Sequence, residues 1–261
     1  MNEVLKVEGL DKSFGGFAVI NNVSFSLNAG ARHALIGPNG AGKTTLVSLL
    51  SGALSVDAGR IDLMGRDITA ASPRVRVKGG LVRTFQVNNL FDGLTVQENV
   101  LLAVSERSNT SGRMFQVLST RRDLIEESRA ILVQLGLEEY ADRKITELPY
   151  GAQRLVEIAI ALSLRPMVLL LDEPAAGITG RDASRLLDII EGLPAEIAVL
   201  MIEHDMHVVR RFAAEVTVLV AGSILMSGKP EEVMGSPEVH RVYLGEDRQK
   251  RHHGERGHSR A

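Results

Sequence analysis

ALIGPNGAGKTTL, Ala34 to Leu46, joins an apolar run to a glycine-rich turn and then to a helix-forming stretch. Inside it, the run from Gly37 to Thr44 fits the phosphate-loop spacing of Gly, four residues, then Gly-Lys-Thr. Glycines let the backbone turn sharply, so successive N–H groups point inward at phosphate oxygens. The helix that opens at Gly42 adds the positive end of its dipole. Lys43 supplies a point charge for β- and γ-phosphates, and the Thr44 hydroxyl suits magnesium. Gly37, Pro38, Asn39, Gly40, Ala41, Gly42, Lys43, Thr44 and Thr45 are therefore the candidate nucleotide loop. An ordinary glycine-rich turn has no need of an apolar strand before it and a helix after it.

A second chemical site closes VLLLDEP, Val168 to Pro174, where an apolar run ends in two carboxylates. Ligands of open α/β sheets bind at the C-terminal ends of strands, which is where Asp172 and Glu173 fall. Asp172 suits a water-mediated magnesium contact, and Glu173 suits polarising an attacking water. A third apolar strand, IAVLMI, runs into Glu203-His204-Asp205. A neutral His204 imidazole there would reach a γ-phosphate. The competing readings are a capping histidine, or a metal site built from His204, Asp205 and His207. Magnesium prefers oxygen ligands and no further histidine cluster completes a zinc site, so the phosphate role leads. LVRTFQ, Leu81 to Gln86, is a fourth strand candidate, and its terminal Gln86 amide would report on magnesium or water.

The rest of the chain supports this α/β reading. Its 261 residues are 44% apolar and 24% charged, a globular composition with chain enough for a packed core. A net charge of -2 gives no electrostatic case for nucleic acid. The absence of cysteine removes disulfides, thiolate metal sites and cysteine nucleophiles. MNEVLKVEGL mixes charges with apolar residues, unlike a signal peptide. No apolar run approaches the roughly 18 residues of a membrane span. VTVLVAGSILMSG, Val216 to Gly228, is broken by Gly222-Ser223 and reads as a strand hairpin.

VSFSL, Val23 to Leu27, alternates as a half-buried strand does. From about Val87 to Pro149 the character turns helical. Leu124, Ile125, Ser128, Ile131, Leu132 and Leu135 share one face, with Gly136 as the stop. Ala183, Leu186, Leu187 and Ile190 form another. Apolar strands alternating with helices predict a buried parallel sheet. The tail from residue 245 to 261 is highly charged, almost free of large apolar residues, and expected to be disordered.

LPYGAQR, Leu148 to Arg154, completes the set. With the phosphate loop, Gln86, VLLLDEP and His204 in this order, the chain resembles an ATP-binding cassette (ABC) ATPase over about residues 3 to 245. KSFGGFAVINNVSFSL, RTFQVNNLFDGLTVQENV, VEIAIAL, DEPAAG, EHDM and VYLGE are similar to the ATPase subunits of branched-chain amino-acid importers, and to relatives that import urea or short amides. The resemblance implies a P-loop NTPase (RecA-like) α/β core with an N-terminal antiparallel β subdomain and an inserted α-helical subdomain. The implied cassette spans 1–244, with core 1–86 and 155–244 and the helical subdomain at about 87–154.

It also implies ATP and Mg2+ as ligands. Phe14 would stack on adenine, with simple packing of Phe14 or Phe17 as the alternative. Thr44, Asp172 and Gln86 would serve the metal; Lys43, Gln86, Glu173 and His204 would serve hydrolysis. LPYGAQR matches the signature motif that caps ATP bound to the opposite subunit, through Tyr150, Gly151 and Ala152. Implied partners are two transmembrane permeases, a second ATPase subunit (paralogue or self) and, indirectly, an extracytoplasmic binding protein, at the cytoplasmic face of the membrane. A soluble non-transport ABC ATPase is the weaker rival, because such proteins carry paired cassettes or a long coiled coil. Two departures stand out: Pro149 replaces the usual signature serine, and Gly177-Ile178-Thr179-Gly180 follows the carboxylates in place of a loop carrying Asn or Asp.

Overall fold

Alternating burial along the N-terminal strands builds the first sheet of the computed structural model, which describes residues 3–84, 90–108 and 122–242. Strand β1 (Glu3–Phe14) pairs antiparallel with β2 (Phe17–Asn28) and with β4 (Ala58–Leu63), and β4 pairs with β5 (Arg66–Asp67). Val23 and Leu27 of β2 are buried while Ser24 and Ser26 face out, as the alternation predicts. This is the expected antiparallel β subdomain.

The chain divides into two compact units, residues 1–70 with 200–261, and residues 71–199. In the first, β3 (Arg32–Ile36) runs parallel to β9 (Glu215–Val220), which turns back on β10 (Ser223–Gly228). The 216–228 stretch is thus the predicted hairpin. Strand β8 (Ala198–Ile202) passes from the second unit into the first, and Glu203 just beyond it donates its N–H to Leu35 O. All five residues of β8 are buried, which explains its lack of polar alternation. Helix α1 (Lys43–Ser51) follows the glycine-rich loop. Ala34 and Ile36 of β3 pack with Val216 and Val218 of β9, Val209 and Val233.

In the second unit, β6 (Leu81–Arg83) runs parallel to β7 (Val168–Asp172). Around them lie α2 (Pro73–Lys78), α3 (Val96–Arg107), α4 (Arg122–Gln134), α5 (Tyr150–Ser163) and α6 (Gly180–Glu191). Helix α3 starts at a capping box: Thr95 Oγ1 accepts from Glu98 N–H, and Glu98 accepts from Thr95 N–H. Helix α4 buries Leu124, Ser128 and Leu132, the heart of its predicted face, and Leu124 packs on Leu101 and Val104 of α3. It ends at Gly136, where Leu137 N–H reaches back to Leu132 O. Helix α6 buries Leu186, Leu187 and Ile190, each contributing about 1.5–3 kcal/mol on burial. The first unit also holds α7 (Met206–Phe212) and α8 (Pro230–Gly235). The 245–261 tail lies outside the described residues.

One turn in the first unit has no room for a side chain. Gly222, between β9 and β10, has φ +81°, and a Cβ on it would stand 2.4 Å from Val19 O. We expect Gly222→Ala to lower unfolding stability by about 1–3 kcal/mol, from backbone strain and displacement of β2. Urea unfolding of the two proteins measures this, and an unchanged midpoint contradicts it.

Candidate functional site

In the first unit the phosphate loop lies between β3 and α1. Gly37 is buried, and a Cβ there would fall 2.1 Å from Leu219 O. Gly222 N–H donates to Ala41 O at 2.9 Å, so the hairpin turn also grips the far side of the loop. Lys43 Nζ donates to Gly37 O at 2.6 Å and to Pro38 O at 2.9 Å, which holds the ammonium over the loop. Gly42 occupies the N-cap of α1 with no side-chain cap, and the first turn carries no acidic residue. Thr44 is exposed and Thr45 half-buried beside this bare positive helix end. Such a start is an anion site by construction.

Phe14 and Phe17 face each other across the Gly15-Gly16 turn, 45% and 80% exposed. Lys12 Nζ lies 5.6 Å from the Phe14 ring centroid and 2.6 Å from Asp57 Oδ1. The Lys12 hydrogen bond, with Ser13 N–H, holds the Asp57 carboxyl below the usual range. Phe14 is thus the better-fixed ring of the two.

His204 follows β8 with its side chain exposed, and its backbone N–H donates to Glu203 Oε2 at 3.2 Å. Glu203 is only 1% exposed, so a buried carboxylate anchors the backbone at this histidine. Asp205 is an N-cap: it accepts from His207 N–H at 2.8 Å and starts α7. Among the described residues no group of three His, Asp or Glu side chains forms a metal cluster, so the His204-Asp205-His207 alternative gains no support.

In the second unit, β7 delivers Asp172 and Glu173 to its C-terminal end. Glu173 has φ +46°, a left-handed conformation that a non-glycine residue adopts only when its surroundings hold it. Arg83, at the end of β6, donates to Asp172 Oδ2 at 2.7 Å, with both side chains largely buried. Helix α5 starts at Pro149 with no side-chain cap and no acidic residue in its first turn, which leaves the N–H groups of Gly151 and Ala152 facing outward from a helix start. The structure therefore places Phe14, the phosphate loop and His204 in the first unit, and Asp172, Glu173, Tyr150, Gly151 and Ala152 in the second. Gln86 lies outside the described residues.

Four residues escaped the sequence reading. Arg83 drew no role within LVRTFQ, and only the parallel β6–β7 pairing brings it to Asp172. Glu203 was overshadowed by its neighbour His204. Arg154 and Glu157 on α5 form a buried ion pair at 3.0 Å, three residues apart on one helix face. That spacing was visible in the sequence; its burial was not.

Known proteins share the sequence and fold of this chain. Residues 20–176, more than half the chain, match the family model for ABC transporters. The chain is similar to the high-affinity branched-chain amino acid transport ATP-binding protein BraF of Pseudomonas aeruginosa, at 37% identity over 250 residues, covering 93% of this chain and 98% of that one. It is 38% identical over 251 residues to LivG of Salmonella typhimurium, with coverage of 93% and 98%. Among solved structures, an ABC transporter cassette in its ADP conformation superposes with a TM-score of 0.84 at 32% identity, over 94% of this chain and 100% of that one. A nucleotide-free cassette gives 0.83 at 32% identity, over 92% and 98%. The fold class is that of these cassettes.

Burial outweighs the Arg154 ion pair and pushes the Glu157 carboxyl up to about 7. Between its ordinary value of 4.5 and about 7, the folded chain keeps a proton that the unfolded chain has released. Stability contributed by this group is therefore complete below pH 4.5 and declines as pH rises through that window. Glu157→Gln should remove this decline, whose slope cannot exceed about 1.4 kcal/mol per pH unit for one proton. Denaturant titrations at a series of pH values test it; equal slopes in both proteins would refute it.

Proposed function

Because the chain belongs to the ABC transporter family, we propose that it hydrolyses ATP to drive a membrane importer, with branched-chain amino acids as the transported class. The observation that carries the nucleotide reading is the phosphate loop running into α1, a helix start with no cap and no acidic first turn. The substrate class rests on the likeness to BraF and LivG, whose names state branched-chain amino acid transport.

The loop N–H groups and Lys43 bind the β- and γ-phosphates, and Phe14 stacks on adenine. Water, polarised by Glu173, adds to the γ-phosphorus; the bond to the β–γ bridging oxygen breaks, giving ADP and inorganic phosphate. His204 contacts the γ-phosphate, and Lys43 faces the charge that spreads over the equatorial oxygens in the loose transition state. Thr44, Asp172 and Gln86, the candidate metal residues, each carry a side-chain oxygen, the donor type that magnesium would take. Magnesium, when bound, neutralises charge between β- and γ-phosphates. Arg83 fixes the orientation of the Asp172 carboxylate through its 2.7 Å hydrogen bond. Gly151 and Ala152 present backbone donors to the nucleotide of a second ATPase subunit.

Among the described residues no helix is long and apolar enough to cross a membrane. From the likeness to BraF and LivG we infer that permease partners carry the transport path, with this subunit at the cytoplasmic face. Phe91 is the best-presented contact for them. Phe91 is 60% exposed, and buried Asn99 clamps its backbone, accepting from Phe91 N–H at 3.0 Å and donating to Phe91 O at 3.2 Å. An aromatic held rigid and exposed is the make-up of an interface anchor.

Glu173→Gln should lower hydrolysis about 10²–10⁴-fold while nucleotide still binds. A phosphate-release assay beside a fluorescent-nucleotide titration measures both, and wild-type turnover refutes the role of Glu173. Phe91→Asp should release the subunit from its permeases and abolish transport. Co-purification from membranes tests this; a retained complex would clear Phe91 of the role.

A further inference from the structure

The signature stretch makes a contact inside its own unit that its match to a nucleotide cap does not require. The chain leaving Glu173 makes a tight turn, with Ala176 N–H donating to Glu173 O at 3.1 Å and Ile178 N–H donating to Ala175 O at 3.2 Å. Gly177 sits in that turn at φ +76°. A Cβ on Gly177 would meet Tyr150 Cε1 at 3.3 Å, with Cζ and Oη at 3.8 Å. The phenol ring therefore lies against the backbone of the turn. Near the ring, the Arg154 guanidinium carbon is 5.5 Å from the ring centroid. Arg154 is in turn bound to Glu157 at 3.0 Å, and both side chains are more than nine-tenths buried.

That ion pair is an expensive support. Arg154 Nε and Glu157 Oε1 are buried with no hydrogen-bond partner. Apolar side chains of the same volume would often stabilise the helix more. What the pair supplies is a fixed position for a cation near the Tyr150 ring, one helical turn away. The element in need of support is Glu173, whose left-handed backbone costs about 1–3 kcal/mol and persists only under external constraint.

We propose that Tyr150 is a positioning residue for Glu173: its ring, braced by Arg154, holds the Gly177 turn and through it the Glu173 backbone. The contact joins the start of α5 to the hydrolytic carboxylate within one chain. A nucleotide that settles the first turn of α5 thereby also settles Glu173. This rests on the proposed role of Glu173 in hydrolysis.

The test uses the full chain and single-turnover ATP hydrolysis, with ATP affinity and ATP-driven dimerisation measured beside it. Tyr150 is 42% exposed, so its truncation opens no core cavity. Tyr150→Ala should lower the hydrolysis rate about 10–100-fold with ATP affinity within about twofold, as expected when a reacting group is misplaced but binding is spared. Tyr150→Phe, which keeps the ring, should restore most of that loss. In a Glu173→Gln background, Tyr150→Ala should cost nothing more, because both changes act at one point. The double variant should dimerise with ATP as Glu173→Gln does. An unchanged rate in Tyr150→Ala overturns the proposal. So does a multiplicative loss in the double variant, or loss of its dimer, either of which assigns Tyr150 to the neighbour's nucleotide. Wild-type turnover in Glu173→Gln alone refutes the underlying role of Glu173, a separate failure.

Discussion

Where a Cβ on Gly37 would project, the carbonyl oxygen of Leu219 stands 2.1 Å away. That close approach of two backbones is the constraint on which the first unit is built. It fixes the phosphate loop against the end of β9, the strand that pairs with β3 on the way into the loop. The β9–β10 turn then reaches round the loop, through Gly222 N–H to Ala41 O, and against β2, through Asn21 N–H to Gly222 O. Loop, hairpin and antiparallel sheet are thereby one backbone-bonded assembly. The rigidity serves binding, since N–H groups aimed before the phosphate arrives need no later ordering.

The buried charges follow a different logic from the apolar core. Arg83 with Asp172, Arg154 with Glu157, and Glu203 beneath His204 each lie next to a residue with a proposed chemical role. Buried pairs add little net stability, because desolvation offsets most of their attraction. Their value here is directional: a carboxylate held by a guanidinium keeps one orientation, which an apolar side chain could not impose. His33 shows the structural counterpart. Burial pushes its pKa down to about 4, and it shares a hydrogen bond with Thr217 at the opposite end of β3 from the loop. Its buried polar contact joins β3 to β9 and stands apart from the candidate chemistry.

How much of this the sequence disclosed depends on the range of the interaction. The phosphate loop, the apolar strands β7 and β8, the hairpin and the α6 face were legible because each is written in contiguous residues or in a helical period. Gly136 as the stop of α4 was legible for the same reason. Arg83 aimed at Asp172, and Tyr150 against Gly177, were not. Each depends on two distant segments meeting, and neither residue alone departs from what a surface position carries. Asp205 entered the sequence reading only as a metal candidate, and the cap it provides is visible only in its hydrogen bond from His207 N–H.

The departure at Pro149 becomes intelligible at the start of α5. A serine at an N-cap has two uses for its hydroxyl: it can accept from the N–H of the second or third helical residue, or it can donate outward. The first use consumes the N–H groups of Gly151 or Ala152. Proline at this position, with φ -57° and ψ 150°, holds the extended cap geometry but offers no side-chain acceptor. Those N–H groups are then committed to nothing on their own helix cap. The serine's outward donor is lost, and the cap side chain no longer competes for those N–H groups, beside which the Asp182 side chain lies. The side chain at the next position, still 42% exposed, lies against Gly177. On the reading proposed above, a helix start that would otherwise meet phosphate with a hydroxyl would meet it with backbone alone, and the adjacent aromatic would hold the turn beyond Glu173.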